Sequence, residues 1–156
     1  MSETAVLDNK VIVFELDHEE YALPVQSIGS IERILPITRV PTTPSFVKGV
    51  INLRGVVTPV IDLKEKLRDG TTEFDEQTRI IIVTVNDLTV GFIVDSANDV
   101  IDIDAEQIEP PPETIGTEGK EFIKGVVKME RRLFILLDLE KILLKEELEE
   151  LRTLEG

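Results

Sequence analysis

Cysteine and tryptophan are absent from the 156 residues, histidine occurs once, methionine twice, and aromatic residues make up only 4%. Without cysteine there are no disulfides and no thiolate metal sites. A hydrolytic triad would have to use His18, which lies in the polar stretch Asp17-His18-Glu19-Glu20 between two β-rich runs, where a solvated turn residue is expected. The nine glycines are scattered singly, so no phosphate-cradling loop is formed. No apolar run approaches the eighteen or so residues that a membrane helix needs. The N-terminus, MSETAVLDNK, carries acids and no apolar core, so a signal peptide is not expected and a cytoplasmic location is. Positive charge is also scarce. Seventeen Lys and Arg face thirty-one Asp and Glu, and a net charge of −14 repels nucleic acid and anionic lipid surfaces.

What is present is aliphatic. Hydrophobic residues make up 42% and charged residues 31%, a globular balance. With so few aromatics the core must be Val, Ile and Leu, a bias that favours strands. Few Cys, Met and Asn beside many Glu are compatible with a thermophilic source.

The chain reads as successive strand pairs. VIVFEL (11–16) and YALPV (21–25) flank residues 17–20 as a hairpin, and SIERIL (30–35) is a further strand ended by Pro36. PTTP (41–44) is an extended connector. Residues 47–63, VKGVINLRGVVTPVIDL, form two strands meeting at Arg54-Gly55, followed by a short helical turn that Asp62 caps with Glu65 as capping-box acid. TTEFDEQT (71–78) is a polar loop. RIIIVTV and LTVGFIVD pair about Asn86-Asp87, residues 109–121 form a proline-rich loop, and IKGVVKM pairs with LFILLDL. A C-terminal helix is expected over 140–154, with Leu144, Leu148 and Leu151 on one face.

The two halves repeat each other. Residues 47–63 align without gaps on 123–139: Lys48, Gly49, Val50, Asp62 and Leu63 recur as Lys124, Gly125, Val126, Asp138 and Leu139. Val25, Ser27 and Ile31 likewise match Val94, Ser96 and Val100. Two small all-β units are therefore expected, roughly 10–78 and 79–145. Each is too small to bury enough surface alone, so they should pack together, as small barrels rather than open sheets.

Candidate chemistry is sparse. Asp95, Asp99, Asp102 and Asp104 lack the glycine and terminal glutamate of a calcium loop, and outward strand positions account for them better. No metal, cofactor or catalytic residue is nominated. Arg54 stands out, a permanent charge amid aliphatic residues where the second half carries Glu130. It either pairs with an acid and closes the hairpin end or anchors a protein interface. Val25, Ile28, Ile31 and Ile34, three residues apart, are expected mostly to face the core.

Residues 47–63, preceded by ITRVPTTPSF and flanked by EEYALPVQSI (19–28) and TVGFIVDSANDVIDI (89–103), resemble the CheW family of bacterial chemotaxis coupling proteins over about residues 10–150. The same domain occurs in the kinase CheA and in CheV, but the absence of kinase or receiver segments favours the stand-alone form. The resemblance implies two intertwined, five-stranded SH3-like β-barrels, and a non-catalytic adaptor that bridges the regulatory domain of CheA to the cytoplasmic tip of methyl-accepting chemoreceptors. A receptor helix laid in an apolar groove between the barrels is the implied mode. It places Ile28, Val90 and Asn98 on the receptor-facing side, and makes Gly49 and Arg54 necessary for assembly with receptor or kinase. Many relatives carry an acid where this chain has Ser30; Glu32, on the same strand face, is the expected substitute partner for Arg54. The alternatives are a regulatory β-protein that binds a small ligand, or an adaptor of a different kinase pathway.

Overall fold

The structure, a computed structural model, describes residues 10–68, 70–111 and 122–154. Most of the proline-rich loop at 109–121 lies outside the described residues, as does Asp69. The first hairpin joins β1 (Lys10–Leu16) to β2 (Glu19–Pro24) through two residues, not four. Asp17 and His18 both adopt left-handed backbone, with φ of 53° and 67°, and Glu19 and Glu20 already pair with Leu16 and Glu15. Two left-handed residues match the twist of the flanking strands, so the turn needs no more chain. After a 3₁₀ turn at Val25–Ser27 come β3 (Ile28–Arg33), β4 (Val47–Leu53), β5 (Val56–Asp62) and helix α1 (Leu63–Leu67). The second half supplies β6 (Arg79–Val85), β7 (Leu88–Val94), β8 (Ser96–Asp102), the two-residue β9 (Ile108–Glu109), β10 (Ile123–Met129) and β11 (Arg132–Leu137).

Two sheets result. The first has the order β8-β1-β2-β11-β10-β9 and the second β3-β6-β7-β5-β4. Each draws on both halves of the chain: β1 and β2 join the late strands, while β6 and β7 join the early ones. The same plan underlies both, since β2 meets β11 in parallel as β7 meets β5. The sixth strand of the first sheet also has a counterpart. β9 pairs with β10 at Val126, and in the second sheet Thr38 and Val50 exchange two 2.9 Å backbone bonds at the matching place. Gly49 and Gly125 allow this return. Gly49 has φ of 140°, and a Cβ there would fall 2.0 Å from the Thr38 carbonyl oxygen; at Gly125 it would fall 2.9 Å from that of Glu109. The shared glycine of the repeat therefore lets the chain cross closely over the hairpin.

One large apolar cluster spans both sheets, from Phe14 and Leu23 to Phe92 and Leu137, and smaller clusters fill the rest of each sheet. Val25, Ile28 and Ile34 are half-buried, whereas Ile31 is exposed because it shares the outer face of β3 with Gly29 and Arg33. The expected C-terminal helix is broken in two: α2 (Leu139–Ile142) and α3 (Lys145–Arg152), with Leu143 and Leu144 extended between them. Asp138 caps the first piece, and the Leu144 amide donates to Glu147 Oε1 at 2.7 Å to start the second. The break sends Leu143 into the core and leaves Leu144 exposed, so only Leu148 and Leu151 form the buried face of α3. Among the described residues no helix is long and apolar enough to cross a membrane.

Candidate protein-docking surface

The β4–β5 hairpin turns through Arg54 and Gly55 alone, at φ of 52° and 89°. Glycine takes such a value freely; arginine does so at a cost, so the tip is held by something. Asn52 supplies part of it, its Oδ1 accepting the Gly55 amide at 2.6 Å. The guanidinium supplies the rest: Arg54 Nη2 donates to Glu32 Oε2 at 2.8 Å. Glu32 lies on β3, at the other end of the second sheet's strand order. The Ser30 hydroxyl bonds to the Glu32 carboxylate and, against the opposing effect of burial, it and Arg54 hold Glu32 below the ordinary carboxylate range. The Arg54 side chain nevertheless stays 69% exposed, against 19% for Glu32. One edge of the guanidinium is tethered and the rest faces solvent; two and three residues further along the chain, Val56 and Val57 are 48% and 40% exposed. An exposed cation on a preset backbone, with aliphatic neighbours, can bury its stem and offer forked donors to an acid on another protein.

The remaining expected site residues fall elsewhere. Ile28 is half-buried at the margin of the main core. Its register partner is Val83, whose partner in turn is Val90, so the three form one row across β3, β6 and β7. Val90 is fully buried and offers no surface to a partner; it supports the row from inside. β7 is central in its sheet and covered on both faces, as its near-continuous apolar run LTVGFIV fits. Gly49 is buried too, and acts on the backbone crossing rather than by contact. Asn98 is the extra residue of a bulge between the Val13–Asp99 and Phe14–Ala97 pairs, and its side chain lies outside the described residues. Ile28 and Val90 are thus together, Arg54 and Glu32 are together, and Asn98 is on the other sheet.

Three of the four acids considered for calcium are in ion pairs. Asp95 pairs with Lys64, Asp99 with Arg132 and Asp102 with Lys10, while the Asp104 backbone is tied to Gln107, its amide donating to Gln107 Oε1 at 2.8 Å and its carbonyl accepting the Gln107 amide at 2.9 Å. No group of three candidate metal ligands converges among the described residues. Glu65, expected to complete the cap at Asp62, pairs instead with Lys48 Nζ at 2.7 Å. Asp62 still caps α1, accepting from the amides of Lys64 and Glu65 at 3.1 and 3.4 Å.

The fold and this tip define the chain as a small, mostly β protein of two SH3-like sheets whose distinctive surface chemistry is a tethered, exposed guanidinium. The CheW-like domain model matches residues 10–147, and the chain belongs to that family. It is 45% identical over 137 residues to the chemotaxis protein CheW of Bacillus subtilis, an alignment covering 88% of each chain. Identity to the CheW of Klebsiella aerogenes is 39% over 137 residues, covering 88% of this chain and 82% of that one. Among solved structures, the scaffolding protein TtCheW of Thermoanaerobacter tengcongensis superposes with a TM-score of 0.81 at 36% identity, covering 90% of this chain and 95% of that one.

Proposed function

We propose that this protein is a non-catalytic chemotaxis adaptor that couples the cytoplasmic tip of methyl-accepting chemoreceptors to the regulatory domain of the histidine kinase CheA. It works in the cytoplasm, at the membrane-associated receptor array. The observation that carries the reading is the tethered but solvent-facing Arg54 at the hairpin tip, followed on the next strand by the exposed Val56 and Val57. The family membership supports it, as do relatives whose names describe chemotaxis and scaffolding proteins. In this reading Arg54 contacts a partner directly. Gly49 acts by setting the path of the hairpin that carries it, and Val90 by stabilising the row of side chains that ends in Ile28; Asn98 belongs to the receptor-facing side. Each half is a roughly seventy-residue pseudo-repeat, and a single CheW-like domain contains both.

The test is equilibrium binding of the purified protein to the isolated kinase regulatory domain and, separately, to a receptor-tip helical hairpin. Saturable binding to both supports the proposal. Binding to neither, with the protein folded, contradicts it.

A further inference from the structure

We infer that Lys64, Asp17 and Asp95 form a latch that fixes the angle between the two sheets at the point where the chain crosses from one to the other. β7 belongs to the second sheet and ends at Val94; β8 belongs to the first and begins at Ser96. Asp95 alone spans the gap, so the backbone torsions of one residue set the crossing. Its amide and both carboxylate oxygens are engaged. Its amide donates to the Glu15 carbonyl at 3.1 Å, its Oδ2 accepts the Asp17 amide at 2.8 Å, and its Oδ1 lies 3.0 Å from Lys64 Nζ.

Lys64 comes from the second sheet's side, on α1 directly after β5. Its helix is anchored by Asp62, 1% exposed, which caps it and also accepts from the Thr72 amide and hydroxyl at 2.7 and 2.8 Å. From that fixed post the ammonium reaches Asp17 Oδ1, in the first sheet's hairpin turn, and Asp95 Oδ1, each at 3.0 Å. Only 9% of the Lys64 side chain is exposed. An ammonium this covered is costly unless both carboxylates stay in place, so movement of either sheet away from the other leaves buried charge unpaired. Arg68, on the next turn of chain, adds bonds to the same hairpin through the Tyr21 hydroxyl at 3.0 Å and through Glu19.

The apolar core between the sheets does not make this redundant. Close packing of the shared aliphatic core limits the angle only through shape; hydrogen-bonded ion pairs add directional contacts at the crossing itself. Nor is the cluster a by-product of the repeat. The other crossing, from β2 to β3, uses the 3₁₀ turn with Gln26 where the first has Asp95, and the position matching Lys64 is the exposed Glu140.

The absence of cysteine makes a direct test simple. Spin labels at Thr84→Cys on β6 and Lys128→Cys on β10, both exposed, report the distance between the sheets by pulsed electron paramagnetic resonance. The parent is expected to give one narrow distance peak. In Lys64→Met the peak should broaden or shift, and amide exchange at residues 15–18 and 95 should rise by about tenfold or more while the strands stay protected. Should Lys64→Met not fold, Asp17→Asn, a change at a side chain 43% exposed, gives the same reading more mildly. An unchanged distance peak in a folded variant, whatever its melting temperature, overturns the latch and leaves the cluster as a stabilising contact only. No partner enters this experiment, so it stands or falls apart from the adaptor proposal.

Discussion

Arg54 and Glu32 are joined by a 2.8 Å ion pair although they belong to opposite ends of the second sheet's strand order. The pair ties the β4–β5 hairpin tip to β3 and aims an otherwise solvent-facing guanidinium. A surface pair of this kind stabilises the fold by no more than about 1 kcal/mol. Its consequence is therefore orientation more than stability. Glu32→Gln should leave the urea midpoint nearly unchanged and weaken partner binding less than loss of Arg54 itself, as titrations of both variants would read out.

Gly49 is the opposite case. A methyl group there meets the Thr38 carbonyl oxygen at 2.0 Å, on backbone that only glycine adopts freely. Gly49→Ala should destabilise by about 3 kcal/mol through strain and loss of the Thr38–Val50 bonds. Chemical denaturation measures this directly. A Gly49→Ala protein with parental stability would show that the crossing is not tight.

Val90→Ala removes two methyl groups from a fully buried row and should cost about 2 kcal/mol. Because Val90 presents no surface, the folded variant should bind partners within about twofold of the parent. Direct contact would instead appear as lost affinity at full foldedness, separable by titrating well below the melting temperature.

Acid sensitivity follows from three carboxylates held below their ordinary values. The Lys64 hydrogen bond does this for Asp17, that of the Ser30 hydroxyl for Glu32; at Glu65 burial works the other way and is outweighed by Lys48, Ser45 and Thr71. A carboxylate with a depressed folded pKa contributes stability that is complete above its unfolded value, here 3.8 to 4.5, and is lost as pH falls through the folded one. Urea midpoints should be flat just above this window and fall below it, and Glu65→Gln should reduce the slope.

Much of this fold is written in local letters. The hairpins at Arg54-Gly55 and Asn86-Asp87, the cap at Asp62 and the alignment of 47–63 on 123–139 follow from turn chemistry and period-two patterns. Ser30 and Glu32 share a strand face by the same alternation, and it is on that face that the Arg54 pair forms. Strand exchange was less legible, because each repeat offers equivalent partners and the choice between them is made by the packed core. The Lys64 cluster was invisible for a related reason: Asp17, Lys64 and Asp95 are far apart in the chain and each reads alone as a solvated surface charge. Periodicity ran the C-terminal helix through Leu143 and Leu144, where Glu147 caps a new start instead.

The most direct measurement is affinity and thermal stability of Arg54→Glu, taken together against the kinase regulatory domain and the receptor-tip hairpin. The variant is expected to keep a thermal midpoint close to that of the parent and to lose affinity by roughly thirtyfold or more, equivalent to about 2 kcal/mol, for at least one partner. Parental affinity for both partners would contradict the adaptor proposal, and so would a variant that loses binding only because it unfolds.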